Sequence, residues 1–216
     1  MEEAKTGRGD GLATSREQLL EAASSLMRES DALDVSLVEI SQRAGINAAL
    51  VKYYFGNKEG LILALLERDM RDAITQLTAL LDMDVSPTIK MRIHLAGLNR
   101  MFSRIPYLNR LIHATARTAS PDKVRDLSER LLLPVARAQE QILDEGMRSG
   151  EFEQVDARLF YFAAVGACDA LYSSRFTLHS IFGVDSVDAD LQRRNTQFLV
   201  EYLMRGLLRN PAVQPA

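Results

Sequence analysis

The stretch SLVEISQRAGINAALVKYYFGNKEGL, residues 36–61, decides how this chain folds. Ser36 can cap a helix with its hydroxyl, and Glu39, three residues on, completes a capping box. Leu37, Ile40 and Ala44 then recur at helical spacing as one apolar stripe, with Glu39, Gln42 and Arg43 facing outward. Gly45 stops that helix, because a residue without Cβ takes a positive φ freely at a helix end. Ile46 is read as the buried hinge of the turn, and Asn47 as the cap of a second short helix over 48–54. So short a helix has little stability alone, and Val51 and Phe55 must hold it against the preceding helices. That leaves Ala48, Ala49, Lys52 and Tyr53 on its outer face.

Two short helices around a tight turn, with small residues opening the second, suit entry into a major groove, where bulky groups would obstruct the approach. Lys52 can reach a base edge or a phosphate, and Tyr53 can donate its hydroxyl to a phosphate. Asn57 caps the next helix, whose exposed amides together with Lys58 can hold a second phosphate. Ser36, Arg43 and Asn47 complete the candidate DNA-contact set. The same outline also serves as a helical corner with a solvated lysine, since such shapes recur in unrelated proteins.

Residues 14–61 resemble the N-terminal domain of the TetR family of bacterial transcriptional regulators. Tyr53-Tyr54-Phe55-Gly56-Asn57-Lys58-Glu59-Gly60-Leu61 lies where that family has its aromatic pair, Phe, turn and Lys-Glu, and Ile40 and Ala44-Gly45-Ile46 agree upstream. Lys52 departs, standing where many members carry an aromatic residue. The resemblance implies an all-α fold: an N-terminal arm and helix-turn-helix DNA-binding domain over 1–58, and a larger effector-binding and dimerisation domain over 59–216. It implies a homodimeric regulator, more often a repressor than an activator, released from a palindromic operator in double-stranded DNA by a small molecule. Two reading helices about 34–36 Å apart would then address successive major grooves.

Composition frames this reading. The chain has 216 residues, 47% of them hydrophobic, enough for a small domain and a larger one. Its single cysteine, Cys168, forbids an intrachain disulfide and fits a reducing cytoplasm. The first fifteen residues lack the apolar core of a signal peptide, and no uncharged apolar run reaches the ~20 residues a bilayer requires, so a cytoplasmic protein without a membrane partner is expected. The formal net charge is −3, which sits awkwardly with DNA binding unless charges are sided. Glu29, Asp31 and Asp34 cluster after the first helix, whereas Arg43, Lys52 and Lys58 belong to the reading unit. Lys5, Arg8 and Arg16 are read as a flexible basic arm.

The remainder reads as helix throughout, without period-2 alternation. A first helix over 15–29 buries Leu19, Leu20, Ala23, Leu26 and Met27. A long helix, 58–81, links the domains without a Gly/Pro linker, a connection able to transmit a shift. Ser86-Pro87 opens a helix to about residue 105, and a further helix covers 107–118. The segment 121–150 divides at Pro134, which lacks a backbone donor. Two last helices are expected over 156–178 and 187–209, and the tail 210–216 is expected to be unstructured.

The first of those two carries Phe160 beside Ala163, Gly166, Ala167 and Ala170, small residues that allow close helix approach. The second carries Leu199, Tyr202, Leu203 and Gly206 on one broad face. A monomer could bury these stripes in its own core; the resemblance implies instead a four-helix dimer interface. It likewise implies an effector pocket, for which Met101, Phe102 and Ile105 are candidate walls and Asn99, His113, Arg117, Asp169 and Arg175 candidate polar groups. No Gly-rich phosphate loop, G-x-S-x-G or CxxC occurs, and none of the three histidines follows a glutamate by three residues, so neither catalysis, a metal nor a cofactor is expected. A helical protein-protein adaptor is the alternative, and it leaves Lys52, Tyr53 and Lys58 unexplained.

Overall fold

The computed structural model describes residues 6–30 and 32–209, with side chains from residue 15 onward. Lys5, the side chain of Arg8, Asp31 and the tail 210–216 lie outside the described residues. Among those described, the helices in order are α1 (Thr6–Ser30), α2 (Leu37–Ala44), α3 (Ala48–Phe55), α4 (Lys58–Leu81), α5 (Pro87–Arg104), α6 (Leu108–Thr118), α7 (Pro121–Leu127), α8 (Leu133–Ser149), α9 (Ala157–Ser173), α10 (Arg175–Phe182) and α11 (Ala189–Leu207). The sole pairing of extended backbone among them is a bridge between Phe152 and Leu208. No helix among them is long and apolar enough to cross a membrane.

The chain forms two compact units, Met1–Asp69 with Tyr107–Ser120, and Met70–Pro106 with Pro121–Ala216. The division falls inside α4 rather than at residue 58, and α6 groups with the N-terminal unit. In that unit Leu19, Leu20, Ala23 and Met27 of α1, Ile40 of α2, Val51 of α3 and Leu61 and Leu65 of α4 are buried. Tyr107 is also fully buried; its hydroxyl donates to Asp69 Oδ2 at 2.6 Å and lies 2.9 Å from the Ser24 hydroxyl. Asp69 Oδ1 accepts from Arg68 Nε and Nη2 at 2.9 and 2.7 Å, and Arg68 reaches on to Glu17 and Glu21. This network fastens the start of α6 to α1 and α4, and nothing in the local sequence announced it.

In the second unit Ser86 caps α5 through the Ile89 amide with Pro87 at the first helical position. Buried Lys90 donates to the Leu81 carbonyl at 2.9 Å and to Glu145 at 3.2 Å, satisfying the exposed end of α4. The segment divides just before Pro134, as expected, but through a π turn and not a loop. A π turn, Ser128–Leu132, carries α7 into α8, and the Leu133 amide donates to Ser128 five residues back. The wider turn makes room for the proline ring and its missing N–H. The helix expected over 156–178 is in fact two. Ser174 leaves helical geometry (φ −110°, ψ 47°), and α10 restarts one residue later. The adjacent Ser173 and Ser174 compete with the helix for backbone hydrogen bonds, which accounts for the break.

Candidate nucleic-acid interface and effector cavity

The reading unit is assembled by caps. Ser36 Oγ accepts from the Glu39 amide at 3.1 Å while Glu39 Oε2 accepts from the Ser36 amide at 2.8 Å, the reciprocal capping box expected from sequence. Gly45 ends α2 at φ 66°, a left-handed geometry that glycine adopts without strain. Asn47 Oδ1 accepts from the Ala49 amide at 2.8 Å, and Asn57 Oδ1 from the Gly60 amide at 2.9 Å. Ile46 is half-buried rather than buried. Arg16 is not part of a loose arm: it lies in α1 with its guanidinium 5.4 Å from the Phe55 ring centroid.

On α3 the face that the caps leave open is small and polar. Ala48, Ala49, Lys52 and Tyr53 are exposed, Tyr53 by 72%, and Val51 is buried beneath them. Lys52 makes no hydrogen bond or ion pair among the described residues. The other two cations of the set are engaged. Arg43 binds Glu29 through both Nη atoms at 2.8 and 2.9 Å and Ser25 at 3.2 Å. Lys58 pairs with Asp34. The charges are therefore not segregated as the sequence suggested: Glu29 and Asp34 sit on Arg43 and Lys58. Arg43 holds the Glu29 carboxyl at about 2 and the Lys58 contact lowers that of Asp34, so both stay ionised in any ordinary buffer.

One steric constraint fixes the α3–α4 turn. A Cβ on Gly60 would stand 2.1 Å from the Phe55 carbonyl oxygen. Gly60→Ala should consequently lower stability by about 1–3 kcal/mol through overpacking, although glycine to alanine inside a helix ordinarily gains up to about 1 kcal/mol. A thermal melt with an unchanged or raised midpoint would show that the turn yields freely.

The effector candidates are scattered. His113 and Arg117 are exposed on α6, in the N-terminal unit, and Arg175 is exposed on α10; their apolar neighbours in sequence face the other way. Asn99 is buried, but its amide is already taken by Tyr172 (3.1 Å), Thr196 (2.6 Å) and Asn195 (3.0 Å), fastening α5 to α9 and α11. Phe102, Ile105 and Asp169 are buried in the second unit. Of the eight, Met101 lines an open cavity, about 120 Å3 in volume, between α4, α5 and α8. His94, Gly97 and Leu98 share that lining and were missed; the i, i+3, i+7 spacing of His94, Gly97 and Met101 was the available signal. Cys168 is buried and its thiol is pushed up to about 12 by burial and by Asp169, so it holds its proton and is inert.

Along α9 and α11, Ala163, Gly166, Ala170, Tyr202 and Gly206 are exposed and Phe160, Ala167 and Leu203 half-buried, whereas Leu199 is 7% exposed and already packed within its own chain. Leu159 and Phe198, absent from the expected set, are with Phe162 among the most exposed apolar side chains, and Phe198 stacks on Tyr202 at 5.8 Å.

A capped helix-turn-helix with an outward-facing short helix, carried by an all-helical chain, defines the class: a helix-turn-helix protein with a second helical domain. Comparison with known proteins gives the family. Residues 19–65 match the model of bacterial regulatory proteins of the tetR family, and residues 84–212 match that of the tetracyclin repressor-like C-terminal domain. The chain belongs to the TetR family. It is 33% identical over 72 residues to the HTH-type transcriptional regulator BetI of Brucella anthropi, which is 33% of this chain and 37% of that one. Against BetI of Brucella suis biovar 1 it is 37% identical over 71 residues, 30% and 36% of the two chains. The likeness thus spans little more than a third of these curated relatives. In fold it is similar to a TetR/AcrR-family transcriptional regulator from Thermobifida fusca (TM-score 0.67, 22% identity, 90% of this chain and 98% of that one). It is also similar to FadR from Bacillus subtilis in complex with stearoyl-CoA (TM-score 0.67, 18% identity, 88% and 98%).

Proposed function

We propose that the chain is a ligand-responsive, sequence-specific DNA-binding regulator of transcription, acting as a homodimeric repressor in the cytoplasm and released from a palindromic operator by a small molecule. The observation that carries it is the outer face of α3, where Ala48, Ala49, Lys52 and Tyr53 are exposed together and Lys52 has no protein partner among the described residues. Ser36 and Asn47 set the helix starts through their caps, so their contribution to the interface is to aim the amides rather than to offer a free side chain. Arg43 and Lys58 would reach phosphates only by exchanging Glu29 and Asp34 for them. The exposed faces of α9 and α11 supply the dimer contact, with Phe162, Phe198 and Tyr202 as its apolar anchors. No catalytic step is assigned to the chain, and the adaptor alternative has no observation in its favour.

Selection of bound duplexes from a genomic fragment library at fixed salt tests the reading, and enrichment of a palindrome is the expected outcome. On that duplex Lys52→Ala should weaken binding and reduce the slope of log affinity against log salt by about 1 if it neutralises a phosphate. An unchanged affinity on every selected sequence would remove Lys52 from the interface.

A further inference from the structure

The cavity of the second unit narrows the effector to a chemical class, on the premise that the chain is ligand-responsive as proposed. Leu77 and Leu80 of α4, Ile93 and Met101 of α5 and Val135 of α8 form its apolar walls, and its volume is about 120 Å3. An apolar cavity of ~150 Å3 takes up a single benzene. The space is somewhat smaller than that and open on one side, so it suits one ring at most, and a long acyl chain such as that of stearoyl-CoA, the molecule bound to FadR, needs several times more.

Gly97 shows that the space is not a packing accident. It lies in the middle of α5, where glycine is less favourable than alanine, and no backbone or side chain crowds it: a Cβ there would meet nothing within 4 Å. Its effect is to leave the cavity open. The polar end is supplied by His94, which lines the cavity at 5% exposure with Nε2 3.2 Å from Oε1 of Gln139, itself 1% exposed. Gln139 lies behind the lining, so its bond orients the imidazole and leaves His94 as the group that faces the cavity. With Nε2–H of His94 donated to Gln139, the ring's Nδ1 is left as its acceptor. Burial also lowers the His94 pKa, so the imidazole is neutral and offers a carboxylate no countercharge. The one cation in the lining, Arg100, is exposed.

We propose that this cavity binds one uncharged, ring-sized molecule bearing a single hydroxyl, its ring against Leu77, Leu80 and Val135 and its O–H donated to Nδ1 of His94.

Calorimetric titration of the full chain with phenol, cyclohexanol, benzoate and decanoate tests this directly. Phenol and cyclohexanol should bind saturably, one per chain, and benzoate and decanoate should not. A single methylene misfit in a pocket is worth roughly 10–200-fold, so Gly97→Ala should weaken phenol by about tenfold and Gly97→Leu should abolish its binding. Both should keep the far-ultraviolet dichroism and the affinity for the selected duplex, and Gly97→Ala, the smaller change, stands if Gly97→Leu does not fold. Arg100→Gln should leave phenol within about twofold. Phenol and cyclohexanol failing to bind, phenol binding to folded Gly97→Leu as to the natural chain, or benzoate binding that disappears in Arg100→Gln would each overturn the proposal. Decanoate releasing the duplex while phenol does not would overturn it and leave the ligand-responsive reading intact. Phenol that binds in a Gly97-dependent manner without altering duplex affinity would support the site and sink the regulatory coupling instead.

Discussion

Tyr107→Phe should lower the stability of the N-terminal unit by about 1.5–3 kcal/mol, the usual worth of a hydrogen bond to a charged group, and Tyr107→Ala by about 3–5 kcal/mol, as for a buried aromatic. The separation between the two follows from the geometry. Tyr107 is fully buried, and its hydroxyl is the donor to Asp69 Oδ2, while Arg68 covers Oδ1. Removing only the oxygen leaves the ring in place and strands one half of a carboxylate that is itself 6% exposed. Removing the ring adds a cavity at the junction of α1, α4 and α6, whose walls relax only in part. Burial and the neighbouring Asp69 charge both raise the phenol pKa, so the hydroxyl stays protonated and able to donate across the working pH range. Urea unfolding followed by dichroism gives both numbers, and a Tyr107→Phe midpoint matching the natural chain would mean that Arg68 alone satisfies Asp69.

That network also marks where sequence reasoning stopped. Helix ends were legible because their determinants are neighbours in the chain: Ser36 with Glu39, Asn47 with Ala49, Ser86 with Pro87 and Gly150 after Ser149 all act within a turn. Contacts across long separations were not. Tyr107 meets Ser24 and His94 meets Gln139 over dozens of residues, and no periodicity encodes such a meeting. His113 and Arg117 show the opposite error. They sit on a strongly amphipathic helix, α6, whose buried set is Leu108, Leu111, Ile112 and Thr115, and their own phase on that helix points them outward. The ion pairs Arg43–Glu29 and Lys58–Asp34 join residues that composition had placed on separate sides, because a charge count carries no information on proximity.

Phe152→Ala should cost about 3–5 kcal/mol, and Gly146→Ala should reverse sign depending on whether that ring is present. Phe152 is buried at the corner after α8, where extended backbone pairs it with Leu208, and its ring lies on Gly146: a Cβ built there would stand 2.0 Å from Cδ2. With the ring in place, Gly146→Ala drives Phe152 off its seat, at about 1–3 kcal/mol for overpacking. With Phe152 already alanine, the same methyl fills part of the cavity and replaces a helical glycine, two gains that together come to roughly 1–2 kcal/mol. The expected coupling between the two positions is thus a few kcal/mol, near the upper range for residues in contact. Thermal unfolding of the two single variants, the double variant and the natural chain measures it. Additive losses would mean that the corner rebuilds around the new methyl, and that the close approach of ring to helix backbone is not what holds the end of α8 to the segment after α11.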